Sequence, residues 1–294
     1  PYTLSLHDAL PISRSLLDPC SATYIPRRPR TDEITLSLLS RAKANGFQTL
    51  VVTLDTTLLG HRPNDLDNSA LPFLHGIGCQ VGFSDPVFCK RWGIEPTEDF
   101  LDLQDEALVR KIAMAWLGEV NSGHFRTWEV RLLLFRLSYS LTSLFQDVAF
   151  LQKHWDGPIV LKGIQSVADA RKALSLGLQG IVVSNHGGRQ IDGCTSSLAA
   201  LARITSDPVV AASDLVVLFD SGIRCGADVV KALCLGAKAV LLGRPWVYGL
   251  AIGGQQGVEH VLKTLLSEVE VTVGLMGCPK TSVLGREFLE KVEK

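Results

Sequence analysis

The sequence predicts an α/β fold, a parallel (β/α)8 TIM barrel with about six of its eight strands present, and three observations lead there. One plan repeats three times, a helix closing on glycine and then a β-branched apolar strand: Lys43-Ala-Asn-Gly46 before Thr49–Leu54, Leu174-Ser-Leu-Gly177 before Ile181–Val183, and Leu233-Cys-Leu-Gly236 before Ala239–Leu242. Glycine takes the left-handed backbone that ends a helix, and uninterrupted apolar strands are buried on both faces, as in a parallel sheet. Gly177 and Gly236 lie 59 residues apart, which is two strand-helix units of about 30 residues each. Polar residues cluster at the C-terminal ends of the apolar runs, where barrel enzymes build their sites.

Taken in order, residues 1–13 fit no element; they look like a translated sequencing adapter and are set apart as a non-native leader. Residues 14–294 are read as one barrel domain, and under that reading the segment carrying the first two barrel strands is missing. The visible strands are Ala22–Ile25, Thr49–Leu54, Ile159–Leu161, Gly180–Val183, Leu215–Phe219 and Ala239–Leu242, with helices between most of them. Residues 57–157 interrupt the repeat and are read as a lid excursion with helices of its own. Within it, residues 130–146 hold no acidic residue and break an otherwise continuous helix pattern. Deleting them joins Thr127-Trp-Glu129 to Asp147-Val-Ala-Phe-Leu151, which makes Thr127 and Asp147 a capping box before an apolar helix. Valine codons begin with GT and glutamine can be CAG, so a retained intron accounts for the insertion. A membrane span is the alternative, but the 17 residues include Arg131 and Arg136 and fall short of the ~20 apolar residues a span requires.

The 29 Lys+Arg balance 30 Asp+Glu with no long run of one sign, so nothing marks a surface for nucleic acid or an anionic membrane and a small-molecule partner is favoured. Seven scattered cysteines without a Cys-x-x-Cys pair argue against a disulfide framework and against a zinc site. They read as reduced thiols of a cytoplasmic protein. No stretch has the pattern of a secretory signal, and Lys291–Lys294 is not a peroxisomal Ser-Lys-Leu address.

Directly after the apolar run 180–183 stands Ser184-Asn-His-Gly-Gly-Arg-Gln190. It puts a proton acceptor and a fixed cation on one short loop, and its glycines let a flat ligand approach the backbone. Such a loop suits oxidation of an anionic small molecule. Asp220-Ser-Gly-Ile-Arg224 and Gly243-Arg244-Pro245 follow the last two strands, where exposed backbone N–H groups and arginines form the usual phosphate site of a barrel. No Gly-x-Gly-x-x-Gly dinucleotide fingerprint precedes them.

With Thr53-Leu-Asp55, Arg62 and Leu161-Lys162-Gly163, these motifs in this order resemble the FMN-dependent α-hydroxy-acid oxidases and dehydrogenases. The resemblance covers roughly residues 24–129 and 147–278. Residues 57–89, with Arg62-Pro-Asn-Asp-Leu-Asp67 and Leu71-Pro-Phe-Leu74, look most like the lactate 2-monooxygenase branch.

The resemblance implies a flavoprotein oxidoreductase that binds FMN and oxidises a small, lactate-like L-2-hydroxy acid to the 2-oxo acid or its decarboxylated product, with oxygen as acceptor. It implies His186 as catalytic base, Asp55 as its electrostatic support, Arg189 and Arg62 as a fork for the substrate carboxylate, and Tyr24 as a donor to substrate. It further implies Lys162 at the negative edge of the reduced flavin, Thr53 and Ser184 on the ring, and Asp220, Ser221, Gly222, Ile223, Arg224, Gly243 and Arg244 around the phosphate arm. The family pattern also has a glutamine where this chain has Ala22, and its members commonly form tetramers. Two other readings stand beside it: another phosphate-binding barrel enzyme such as an isomerase, and a catalytically inactive fragment of a flavoenzyme.

Overall fold

The structure is a computed structural model and describes residues 22–25, 29–56, 58–69, 71–97, 103, 105–121, 126–127 and 142–290. The leader 1–13 and most of the expected insertion lie outside the described residues. The chain divides into two compact units, Pro1–Val160 and Leu161–Lys294. The strands of both belong to an α/β fold of the TIM-barrel class.

In the first unit, β1 (Ala22–Ile25) pairs in parallel with β2 (Thr49–Thr53), Ala22 opposite Thr49 and Ile25 opposite Val52. The crossover between them is the helix Asp32–Ala44, with Asp32 and Glu33 in its first turn and Arg41 and Lys43 in its last, the charge order the helix dipole favours. Its preceding residue, Thr31, is held by Glu119, whose carboxylate accepts from both the backbone N–H and the hydroxyl of Thr31. On the far side of β2, the Leu50 N–H donates to the Pro158 carbonyl at 2.9 Å, which leads into β5 (Ile159–Ile164).

The excursion expected at 57–157 carries the helices Pro63–Asp67, Gln80–Phe83, Pro86–Trp92, Glu106–Val120 and Leu144–His154. Ile34 and Leu38 of the crossover helix share one apolar core with Phe83, Phe88, Ile112, Ala113 and Trp116 of the excursion. A fully buried carboxylate ties the same pieces together. One oxygen of Asp85 caps the helix Pro86–Trp92 through the Val87 and Phe88 N–H groups, and the other accepts from Ser37 at 2.7 Å and Arg41 at 3.2 Å. Such burial is tolerable because every lone pair has a charged or polar partner. The packing is also tight: a Cβ on Gly82 would lie 2.4 Å from Cδ2 of Trp116.

The sequence reading set residues 130–146 apart. Among them, β4 (Thr142–Ser143) lies parallel to β3 (Arg126–Thr127), with Thr127 opposite Ser143, and the helix starts at Leu144. Ser143 thus stands beside Thr127, immediately before the helix that Thr127 caps in the shortened sequence.

In the second unit, the end of β5 is followed by β6 (Gly180–Val183), β7 (Val216–Phe219) and β8 (Ala239–Val240), neighbours in that order. β6 and β7 are parallel with Gly180 opposite Val216, and β7 and β8 with Leu218 opposite Ala239. The helices Val167–Ser175, Ser197–Thr205 and Gly226–Cys234 alternate with the strands, and Ser166 and Ser196 cap the first two by accepting from backbone N–H groups. Gly177 and Gly236 follow their helices with φ of 70° and 100°, the left-handed backbone the repeat called for. Ile181, Val182, Val183, Leu201 and Phe219 are fully or almost fully buried between strands and helices.

All six expected strands are present with some ends moved: β2 stops at Thr53, β7 begins at Val216 and β8 holds only two residues, whereas β5 runs on to Ile164 and takes Lys162 inside it. The long helix Arg244–Leu275 bends at Gly253 and Gly254. Among the described residues, no helix is long and apolar enough to cross a membrane, and Cys79, Cys89, Cys194, Cys225, Cys234 and Cys278 are free thiols.

Candidate active site

The C-terminal ends of β5, β6 and β7 in the second unit bring together side chains that the sequence places far apart. Lys162 sits in β5 among apolar neighbours and is 8 % exposed, so its ammonium needs partners. It donates to Ser184 Oγ at 3.1 Å and pairs with Asp220 Oδ2 at 3.1 Å. Ser184 is wholly buried just past β6, and its oxygen also accepts the His186 N–H at 3.0 Å.

The His186 loop is left-handed over three residues, with φ of 57° at His186, 67° at Gly187 and 75° at Gly188. The glycines adopt this freely, whereas a residue with a Cβ is strained there by about 1 kcal/mol. Four polar side chains hold the turn. Ser184 takes the His186 N–H, Asn185 Oδ1 the Gly188 N–H at 3.2 Å and Ser221 Oγ the Gly187 N–H at 2.9 Å, while Arg244 Nη2 donates to the Gly187 carbonyl at 3.1 Å. Asn185 is itself fixed, its N–H donating to Ser197 Oγ at 2.8 Å at the start of the next helix.

Donors remain for a ligand. Among the described residues, Ser184 Oγ accepts twice and keeps its own proton, and the Lys162 ammonium has three protons and two partners. A buried hydroxyl donor beside a buried cation fits a flat heteroaromatic ring with one electron-rich edge, as FMN has. After β7, Ser221 and Gly222 have φ of 78° and 89°, a sharp turn ahead of the helix Gly226–Cys234.

The sequence profile of the FMN-dependent dehydrogenase family matches residues 20–291. The chain belongs to that family. It is 46% identical over 298 residues to an FMN-dependent alpha-hydroxy acid dehydrogenase of Penicillium citrinum, covering 99% of this chain and 66% of that protein. A dehydrogenase of the same description from Schizosaccharomyces pombe is 48% identical over 278 residues, covering 92% and 61%. Among solved structures, an active mutant of (S)-mandelate dehydrogenase superposes with a TM-score of 0.67 at 29% identity, covering 93% of this chain and 66% of that one. A mandelate oxidase superposes at 0.63 and 31%, covering 91% and 63%. The chain therefore spans about two thirds of the length of the curated relatives it matches.

Against the family pattern, Lys162, Ser184, His186, Asp220, Ser221 and Arg244 form one connected set. Arg189 closes the His186 turn and is exposed, its N–H donating to the His186 carbonyl at 3.3 Å. Gly222, Arg224 and Gly243 are exposed and Ile223 is buried. Two backbone donors of the expected phosphate turn, those of Arg224 and Cys225, are directed to Asp228 Oδ2 at 3.1 and 3.3 Å. Burial pushes the Asp228 carboxyl up, but those two bonds, with the Cys225 side chain and the Lys231 charge, together hold it below its ordinary range.

The remaining expected residues belong to the first unit. Tyr24 lies in β1 opposite Val51, and Thr53 ends β2 with 4 % exposure. Asp55 is half-buried in the turn that follows, and Arg62 faces Asp65 at 3.8 Å. Sequence reasoning left Asn185, Ser197 and Asp228 without roles. An Asn two residues ahead of a Gly-Gly pair is a signal for a side chain that closes its own turn, and it could have been read as such.

Proposed function

We propose that the chain carries the FMN-dependent oxidation of a small L-2-hydroxy acid to its 2-oxo acid. The observation that carries this reading is the buried Lys162–Ser184–Asp220 cluster beneath the left-handed His186 loop, with a lysine and a serine donor left over for a ring. Bound FMN would supply the acceptor for the two electrons and the hydrogen lost from the substrate α-carbon.

Lys162 and Ser184 would hold the electron-rich edge of the ring, where the lysine charge would favour added negative charge. His186 takes the proton of the substrate hydroxyl at its imidazole, on a loop fixed at every backbone N–H from 186 to 188. Arg189 is the exposed cation three residues on and binds the substrate carboxylate with a guanidinium fork. Arg244 braces the same loop, and Arg224, Gly222 and Gly243 supply the exposed backbone and charge for the phosphate arm. Tyr24, Thr53, Asp55 and Arg62 are given substrate and cofactor roles on the family pattern alone.

A lactate-like substrate and oxygen as acceptor are supported by an L-lactate oxidase of Lysinibacillus sphaericus, which is 35% identical over 262 residues. The absorption spectrum tests the reading: purified chain is mixed with FMN, desalted, and given L-lactate without air. A retained yellow flavin that bleaches, and that no longer bleaches in His186→Ala, is the expected result. A colourless protein, or bleaching that survives in His186→Ala, refutes it.

A further inference from the structure

We infer that Ser221 is a positioning residue for His186, acting through its hydroxyl; this rests on the assignment of His186 as the base. Ser221 is one of three non-glycine residues with positive φ among those described, and His186 is another. The strain of about 1 kcal/mol per such residue persists only where the surroundings over-determine the conformation. Here the two strained residues are joined: Ser221 Oγ accepts the Gly187 N–H at 2.9 Å and donates to Asp220 Oδ1 at 2.7 Å.

These bonds close a ring. From Asp220 the path runs through Oδ2 to the Lys162 ammonium, from there to Ser184 Oγ, and from Ser184 to the His186 N–H. His186 therefore has its own N–H and the next one fixed by two hydroxyls, both anchored on the Lys162–Asp220 pair. Glycine would adopt a φ of 78° at position 221 without strain, so backbone conformation alone does not call for a serine. The hydroxyl is what serine adds, and its proton goes to a carboxylate that is 15 % exposed, a bond stronger than a neutral one.

The test compares Ser221→Gly with Ser221→Ala. Both remove the hydroxyl; glycine also relieves the backbone, so a defect in that variant cannot come from strain at position 221. Amide hydrogen exchange at Gly187, and the histidine ring signals in a 15N-histidine-labelled sample, report the loop whether or not the chain turns over. The expected result is Gly187 exchange about 10-fold faster in both variants with remote amides unchanged, and a shifted or broadened His186 ring signal.

In FMN-loaded enzyme with measurable turnover, kcat falls about 10-fold while KM stays within about twofold, because misplacing a base costs rate more than binding. A Ser221→Gly variant whose Gly187 exchange and His186 signal match the parent overturns the inference and leaves Ser221 a backbone residue only. Absence of turnover in the unsubstituted chain would count against the proposed function, and the exchange and ring signals would still decide the role of Ser221.

Discussion

Removing the charge of Asp220 should destabilise the second unit far more than removing both charges of the pair it forms. Lys162 Nζ and Asp220 Oδ2 are 3.1 Å apart, with the two side chains 10 % and 15 % exposed, so neither charge can recover much hydration if its partner is lost. Breaking such a pair from one side costs about 3–5 kcal/mol when burial is complete, and the residual exposure here places Asp220→Asn near 3 kcal/mol. Lys162→Met with Asp220→Asn removes both charges and both desolvation penalties, so the double variant should lie within about 1 kcal/mol of the parent. Urea unfolding followed by far-ultraviolet circular dichroism reads the difference. With a slope of about 3 kcal/mol per molar urea for a chain of this size, the single variant shifts the midpoint down by about 1 M and the double by a few tenths. A single-variant loss under about 1 kcal/mol, or two single losses that simply add in the double, would show that the pair is solvent-screened and refute the reasoning.

Two further outcomes follow from the first unit. Gly82→Ala gains up to about 1 kcal/mol of helix propensity but drives a methyl to 2.4 Å from Trp116, whose ring stacks edge-on against Phe88 at 5.1 Å and has little room to yield. The net expectation is a loss of about 1–2 kcal/mol, read as a melting temperature lower by about 3–6 °C; an unchanged or higher melting temperature would show that the ring moves aside. Burial pushes the Cys79 thiol up to about 12 and the Cys89 thiol up to about 11. Both should therefore resist a thiol reagent at pH 8 in the folded chain. Because the unfolded thiols ionise near pH 9 while the folded ones hold their protons, these two residues contribute stability below pH 9 that is lost as pH rises towards 11 and 12. Cys79→Ala should flatten that alkaline loss, and an unchanged pH profile would rule the thiol out as its source.

The strands were legible because burial on both faces leaves a plain mark, a short run of valine, isoleucine and leucine after a helix-ending glycine. Their ends were less so. Leu241 and Leu242 continue the apolar run of β8, yet the strand holds only Ala239 and Val240, even though the Leu241 N–H still donates to the Phe219 carbonyl at 2.8 Å. The excursion was read from an interruption of the repeat, but the core it builds was not legible: Asp85 meets Ser37 and Arg41, which lie 48 and 44 residues away in the chain. The site shows the same division. Motifs placed Lys162, His186 and Asp220 at strand ends, whereas the pairing of Lys162 with Asp220 and the positive φ of His186 depend on neighbours that no local pattern encodes.

That hidden pairing changes how a substitution at Lys162 should be interpreted. A lysine at the edge of a flavin is naturally taken as an electrostatic residue, so a slower Lys162→Met enzyme would be ascribed to lost charge. Here the ammonium also orients Ser184 and Asp220, and through them the N–H groups of His186 and Gly187. Under the proposed function, removing it would disturb the cofactor edge and the base together, and residues that act as one unit have effects that do not add. Ser221→Gly cuts only the path from Asp220 to Gly187 and leaves the Lys162 charge and its bond to Ser184 in place. The defect of Ser221→Gly is what the path from Asp220 to Gly187 alone produces, and what Lys162→Met adds to it combines the lost charge with the lost hold on Ser184 and the His186 N–H.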